Sequence, residues 1–100
     1  MSVPKFQTEA EFQSAVCQLA RKLGCLVFHP KNVRRSEPGF PDLVIAGDRA
    51  FMFRELKTNE GKLRPEQADW IAKLTAAKAD VGVWRPADWD RVVTELKAIA

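Results

Sequence analysis

Two apolar segments separated by a short polar turn constrain the fold more than any other feature of the sequence. Residues 42–46 and 50–57 are rich in aliphatic and aromatic side chains, and Gly47-Asp48 lies between them. Runs of this length and composition, joined by a glycine-containing turn, are typical of an antiparallel hairpin. We therefore expect two adjacent antiparallel strands near the middle of the chain.

The predicted hairpin places two acidic residues and a lysine on one face. A two-residue loop would put Asp42 opposite Phe53 and diagonal to Glu55, whereas a four-residue loop would put it directly opposite Glu55. Side chains alternate along a strand, and cross-strand partners share a face. Asp42, Glu55 and Lys57 therefore share a face in either register, and the sequence alone leaves both registers open.

Carboxylates that converge in this way repel one another unless a cation lies between them. Mg²⁺ prefers oxygen ligands and is commonly bound by one or two carboxylates together with phosphate oxygens. The backbone carbonyl of Leu56 is a further candidate ligand, and Lys57 is a candidate for orienting water or stabilising charge on a phosphate. In the alternative interpretation, Asp42 is a turn residue after Pro41, and Glu55 and Lys57 form a surface ion pair.

The remaining segments predict the order α-β-β-β-α-β-α in one domain, residues 1–100. Thr8 and Glu11 have the spacing of a capping box, and Pro65 suits the first turn of a second helix. The strands are apolar on both sides, which favours a sheet covered by helices on each face. Outside the hairpin we expect helices at 8–23, 65–78 and 87–99, and strands at 25–28 and 81–85.

Composition is that of an ordinary globular protein, with 46% hydrophobic and 29% charged residues. No apolar run approaches the ~20 residues that span a bilayer, and residues 1–7 lack the pattern of a secretory signal. We expect no membrane association and a cytoplasmic location, in a bacterium or a phage-infected host cell. Cys17 and Cys25 lack metal-ligand spacing, so we expect two buried, reduced thiols and no zinc site.

Basic residues cluster in two predicted loops beside the acidic motif. The sixteen lysines and arginines exceed the thirteen acids, for a net charge of +3, which favours a polyanionic partner. Such clusters are also common in merely solvated loops. His29, at the end of the first strand, is a candidate phosphate contact or a simple strand cap. The basic loop residues are Lys31, Arg34 and Arg35 in one cluster and Lys62 and Arg64 in the other.

Three segments closely resemble the VRR-NUC family, which belongs to the PD-(D/E)xK nuclease superfamily. That superfamily includes restriction-enzyme-like endonucleases and Holliday junction resolvases. The resemblance extends from Glu9 to Trp89 and implies an α/β fold with an αβββαβ core, a central mixed four-stranded sheet and flanking helices. The segments are Gly39-Phe40-Pro41-Asp42-Leu43-Val44, Glu55-Leu56-Lys57-Thr58 and Gly61-Lys62-Leu63-Arg64-Pro65-Glu66-Gln67.

The resemblance also implies roles for individual residues. Asp42 and Glu55 match the metal-binding acids of the family, and Lys57 matches the catalytic lysine. Gln67 matches a glutamine at the start of the second helix that can hold a water, a phosphate or a catalytic side chain. The alternative for Gln67 is an exposed helix position. Arg54 stands where the family more often has an apolar or small residue, which leaves the covering of that face open.

A glutamate on the first helix often completes such sites, and two residues compete for this position. Glu9 and Glu11 point about 200° apart on a helix, so only one can reach the metal. Glu9 shares a stripe with Gln13 and Val16, whereas Glu11 suits the capping box. We therefore expect Glu9 to be the additional catalytic and metal-binding acid.

These features together predict a DNA endonuclease that depends on Mg²⁺, with Mn²⁺ able to substitute, and that needs no small-molecule cofactor. The resemblance implies a homodimer acting on Holliday junctions or other branched DNA, because paired sites can cut two strands. Two alternatives stay open: a less selective nuclease for flaps, ends or single strands, and a catalytically silent DNA- or partner-binding module. The three tryptophans are expected in packing or a dimer surface rather than in base stacking.

Overall fold

A mixed four-stranded sheet forms the centre of the fold. The computed structural model describes residues 5–30 and 37–100. The strands lie in the order β1-β2-β3-β4, with antiparallel β1–β2 and β2–β3 pairs and a parallel β3–β4 pair. The predicted α/β class and mixed sheet are confirmed. The strands are β1 (Leu26–Phe28), β2 (Leu43–Ala46), β3 (Phe51–Leu56) and β4 (Val81–Trp84).

Three helices begin and end close to the predicted positions. They are α1 (Glu9–Lys22), α2 (Pro65–Ala76) and α3 (Trp89–Ile99), the last preceded by a 3₁₀ turn at Pro86–Asp88. The Thr8 hydroxyl caps α1 by accepting a hydrogen bond from the Glu11 backbone N–H at 3.1 Å. The Glu11 carboxylate accepts in turn from the backbone N–H of Gln7. The cap therefore forms as the spacing predicts, although the return bond comes from one residue earlier.

The hydrophobic core lies on the face of the sheet that α1 and α3 cover. Phe12 and Val16 of α1 and Val92 and Leu96 of α3 are fully buried there. Cys17 is buried, as is Cys25, and burial raises the pKa of both thiols. The core side chains contributed by the sheet are Leu43, Ile45, Met52, Leu56 and Trp84.

The turn between β2 and β3 has four residues, 47–50, rather than the two suggested by Gly47-Asp48. The register pairs Ala46 with Phe51 and Leu43 with Arg54. The end of α3 packs on this turn, where the Arg49 backbone N–H donates to the Ile99 carbonyl at 2.9 Å. A Cβ at Gly47 would collide with that same carbonyl. Contact with α3 therefore selects the four-residue loop, and the glycine is needed for close approach.

Helix α2 covers only part of the opposite face. It packs over β4, and its single fully buried side chain is that of Gln67. Leu26, Phe28 and Phe51 are 77%, 61% and 58% exposed on the uncovered part. The prediction that helices flank both faces of the sheet is confirmed, although α2 leaves part of its face exposed. No helix in the described segments is long and apolar enough to cross a bilayer.

Arg54 is buried on the core face of the sheet. The sequence pattern did not predict what surrounds its charge there. Its guanidinium forms ion pairs with Asp80 at 2.8 Å and Glu95 at 3.0 Å. It also lies over the ring of Trp84, whose indole N–H donates to the same Glu95 carboxylate. Two acids and an aromatic ring thus replace water around the charge, so this arginine ties β3 to β4 and α3.

All three tryptophans pack against other side chains of the fold, as predicted. Trp84 is fully buried, and Trp89 packs against Phe12 with ring centroids 6.5 Å apart. Trp70 packs edge-on against Phe40 at 5.1 Å. Its indole N–H donates to the carbonyl of Pro38 at 3.1 Å, which joins α2 to the loop before β2.

Candidate active site

Asp42, Glu55 and Lys57 meet at one end of the β2–β3 hairpin. Continuing the observed register by one residue places Asp42 directly opposite Glu55, as the four-residue loop requires. One Asp42 carboxylate oxygen accepts a hydrogen bond from the Leu56 backbone N–H at 2.9 Å. The Lys57 ammonium lies 3.5 Å from Glu55 Oε2. The structure therefore brings the two acids and the lysine together on one face.

Glu55 is a buried carboxylate with only one of its oxygens bonded. Its side chain is 2% exposed, and Oε2 accepts from the Gln67 side-chain amide at 2.9 Å. Oε1 is buried and has no hydrogen-bond partner. Burial, reinforced by the neighbouring Asp42 charge, raises the pKa of Glu55 from 4.5 to about 7, against the opposing effect of Lys57. Both observations describe a buried carboxylate whose charge is not fully offset by the neighbouring Lys57 ammonium.

A hard divalent cation fits this arrangement. An unbonded buried carboxylate oxygen is costly unless a cation or hydrogen-bond donor reaches it. Asp42 and Glu55 supply the oxygen atoms that Mg²⁺ and Mn²⁺ accept. Within residues 5–30 and 37–100, no group of three or more histidines, cysteines or acids is close enough to hold a metal. The described acidic set is thus a pair, which is the number Mg²⁺ commonly uses alongside water and phosphate.

The structure does not bring Glu9 into that pair. Glu9 is the exposed first residue of α1, and the charges that shift the pKa of Glu55 come from Asp42 and Lys57. Glu11 is occupied by the cap of the same helix, as expected. The role of Glu9 as an additional ligand stays a prediction.

Gln67 is buried beside Glu55, which excludes its alternative interpretation as an exposed helix residue. It occupies the third position of α2, and its Oε1 accepts from the Arg64 backbone N–H at 2.8 Å. That bond satisfies a free N–H at the start of the helix and orients the amide so that Nε2 donates to Glu55. Gln67 therefore holds Glu55 through Oε2 and leaves Oε1 free.

Gly39 sets the approach of the loop before β2 to the start of α2. Its φ of +88° lies in the left-handed region that favours glycine. A Cβ at this position would collide with the backbone of Glu66 and Gln67. The glycine of the Gly39-Phe40-Pro41-Asp42 segment therefore lets the chain carrying Asp42 pack against the helix turn that carries Gln67.

A cleft of about 370 Å³ opens beside Asp42. Asp42 and Gln67 contribute to one side, and Arg64 also lines it. The Arg64 side chain is 67% exposed, with a loose 3.7 Å contact to Glu66 that leaves donors available. The cleft therefore combines Asp42, one acid of the pair, with a cation that can reach a phosphate.

The other predicted DNA contacts are less closely tied to the cleft. Lys62 is exposed in the loop before α2. His29 is half-buried, and its Nδ1 lies 3.5 Å from the Gln13 side-chain amide, on the side of α1. Lys31, Arg34 and Arg35 lie outside the described residues.

Arg85 is a residue of this region that the sequence did not reveal. Its guanidinium donates to the carbonyls of Thr58 and Gly61, both at 2.6 Å, and so closes the loop that follows Lys57. The backbone N–H of Lys57 donates to the Trp84 carbonyl next to Arg85. The contact depends on the parallel β3–β4 pairing, and no local pattern in the sequence indicates it.

Comparison with known proteins decides the family. The VRR-NUC domain model matches residues 2–88. The chain belongs to the VRR-NUC family. A solved structure described as a VRR_NUC domain is 26% identical, with a TM-score of 0.72 over 86% of this chain and 94% of that one. A second, a VRR_NUC domain protein, is 19% identical, with a TM-score of 0.70 over 96% and 90%. No curated protein matches the chain.

As a VRR-NUC domain, the chain is a nuclease-type domain, for which DNA is the implied substrate class and divalent metals are the usual cofactors. The family match ends at residue 88, immediately before α3. Even so, α3 supplies Val92 and Leu96 to the core and its Ile99 carbonyl to the hairpin turn. The last helix thus supports the strands that carry the candidate site.

Proposed function

We propose that this VRR-NUC domain is a Mg²⁺-dependent DNA endonuclease, able to use Mn²⁺, that cuts branched DNA such as Holliday junctions as a homodimer. The observation that carries the metal dependence is the buried, unbonded Oε1 of Glu55 beside Asp42. An acid pair of this kind is stabilised by a divalent cation and destabilised without one.

The residues of the site have separate tasks in this proposal. Asp42, Glu55 and the Leu56 carbonyl bind the cation, with Glu9 as an additional acid. When bound, Mg²⁺ polarises the scissile phosphate, lowers the pKa of coordinated water and stabilises the leaving oxygen. Lys57, whose ammonium lies 3.5 Å from Glu55 Oε2, orients the attacking water or stabilises charge on the phosphate in this proposal.

Gln67 is the positioning residue of the acid pair. It fixes one oxygen of Glu55 by a 2.9 Å hydrogen bond and is itself fixed by the start of α2. Such support keeps a metal ligand in one orientation before the metal arrives. Loss of the amide would therefore weaken metal binding more than DNA binding.

The DNA backbone is bound by cations around the cleft. Arg64 lines the cleft, Lys62 is exposed in the preceding loop, and His29 lies at the end of β1. The basic segment with Lys31, Arg34 and Arg35 would add further phosphate contacts. Contacts of this kind position a duplex without reading its sequence, which suits an enzyme that recognises DNA shape.

The test is a panel of labelled four-way junction, flap, duplex and single-stranded substrates with Mg²⁺, with Mn²⁺ and with EDTA. We expect paired cuts in the junction that EDTA abolishes. The Asp42→Asn and Lys57→Ala variants should each lose about a hundredfold or more in rate. Asp90→Asn and Lys97→Ala, which change exposed residues of α3, should keep wild-type rates.

The panel separates the alternatives. Cutting of flaps or single strands in preference to the junction would contradict the branched-DNA part of the proposal. Tight metal-independent binding with no cleavage of any substrate would indicate a binding module instead. Residual cutting of equal rate in wild type, Asp42→Asn and Lys57→Ala would show that the activity belongs to a contaminant.

A further inference from the structure

Six apolar side chains form two rows across the uncovered face of the sheet. The register places Leu26, Ala46 and Phe51 side by side on β1, β2 and β3. It places Phe28, Val44 and Phe53 in the next row. We call these six residues the apolar sheet patch. Its first row is exposed throughout, and Phe28 of the second is also exposed.

The patch is held in shape by aromatic contacts. The Phe51 and Phe53 rings pack edge-on with centroids 5.8 Å apart, and Phe53 packs on Phe40 at 6.1 Å. Phe40 in turn packs on Trp70 of α2. The exposed Phe51 ring therefore continues a packed aromatic row and loses little freedom when a partner covers it.

The charge of this surface argues against DNA as its occupant. None of the six side chains is polar, and DNA-binding faces present cations to the phosphate backbone. The adjoining turn carries one acid and one base, Asp48 and Arg49, both exposed. A surface that is neutral at its centre and carries one charge of each sign at the turn end can face its own copy there without like-charge repulsion.

The area also suits a protein interface. The exposed parts of Leu26, Phe28 and Phe51 amount to roughly 350 Å² of apolar surface, given 150–250 Å² for a whole aromatic side chain. The largest apolar patch on a typical monomer has about this size and is often functional. Two such patches together bury about 700 Å², and the rim of β1 and the 47–50 turn can bring the total towards the ~1,200 Å² of a stable interface.

We infer that the apolar sheet patch is the surface through which two copies of this chain form a dimer. The inference rests on the homodimer of the proposed function and names its interface. Sheet faces pack about 10 Å apart with interdigitating side chains. Asp42 and Glu55 lie on the same sheet face as the patch, and the first row lies about 13 Å along β2 from Asp42. Packing through the first row therefore leaves each acidic pair beside the contact and not at its centre.

Oligomeric state measured by sedimentation velocity, in EDTA and without DNA, tests this interface separately from nuclease activity. We expect the wild-type chain to be a dimer at micromolar concentration. Phe51→Glu and, independently, Leu26→Glu should each weaken the dimer by at least about thirtyfold. Ala98→Glu adds the same charge on an exposed position of α3 and should leave the dimer intact.

Far-UV circular dichroism and thermal denaturation show whether each variant remains folded. If Phe51→Glu does not fold, Leu26→Glu still tests the interface, because Leu26 is the more exposed of the two residues. A monomeric wild-type chain overturns the inference. So does a dimer that survives both folded glutamate variants, or one that Ala98→Glu disrupts equally. A dimer with no nuclease activity would contradict the proposed function but would still support the inferred interface.

Discussion

The carboxyl group of Glu55 is buried beside Asp42, and both features disfavour its charged form. Its pKa of about 7 means that the folded protein binds a proton more tightly there than the unfolded chain, whose carboxyl titrates near 4.5. Stability from this group is therefore highest below pH 4.5 and is lost as the pH rises through about 7. The cause is chiefly burial, followed by the Asp42 charge.

Replacing Glu55 by glutamine should stabilise the metal-free protein at alkaline pH. Glutamine keeps the shape and the contact with Gln67 without the buried charge. At pH 8 in EDTA we expect the unfolding free energy of Glu55→Gln to exceed that of wild type by roughly 2–3 kcal/mol, or about 10–20 °C in Tm, and the difference to shrink towards zero at pH 5. Thermal denaturation across pH 5–8 measures this, with the exposed Glu60→Gln as control. An equal difference at both ends of the range would contradict the raised pKa.

At the scale of elements, the active face depends on how the loop after β3 is closed. Residues 58–61 follow Lys57 directly, and the Arg85 guanidinium joins both ends of this loop through two backbone carbonyls. Gly61 adds to the closure, since a Cβ there would lie 2.9 Å from the Thr58 hydroxyl and 3.5 Å from Lys57 Cδ. Arg85 thus helps to fix the position of Lys57 by holding the loop that follows it.

Arg85→Ala should loosen this loop and reduce cleavage by roughly tenfold, mainly in kcat, because a misplaced catalytic group costs rate more than affinity. DNA binding measured in EDTA should change little. Arg85→Lys should restore part of kcat, since an ammonium can reach one carbonyl. Arg21→Ala, an exposed change at the end of α1, is the matched control. A uniform loss of DNA affinity with unchanged kcat would show that Arg85 contacts DNA instead.

At the scale of the whole molecule, the net charge of +3 predicts salt-sensitive DNA binding. Lys62→Ala and Arg64→Ala should each weaken binding about equally for junction, flap and duplex. Each should also lower the slope of log affinity against log salt by about one. Fluorescence anisotropy in EDTA measures this, with Lys97→Ala as control. Loss confined to the junction would mean that these residues read DNA shape.

Local chemistry in the sequence determined the order of the elements and the face shared by Asp42, Glu55 and Lys57. The α1 cap follows from Thr8 and Glu11, which are neighbours in the chain. The common face follows from the two-residue period of a strand and holds for either register. These features need only contacts between residues close in sequence or paired across one turn.

Tertiary structure alone decided the rest, because those features depend on contacts between distant segments. The Ile99 carbonyl of α3 selected the four-residue turn, which sets Asp42 opposite Glu55. The position of α2 placed Gln67 on Glu55 and left the apolar sheet patch uncovered. No spacing in the sequence encodes how far a helix extends over a sheet, since that depends on the packing of the completed fold.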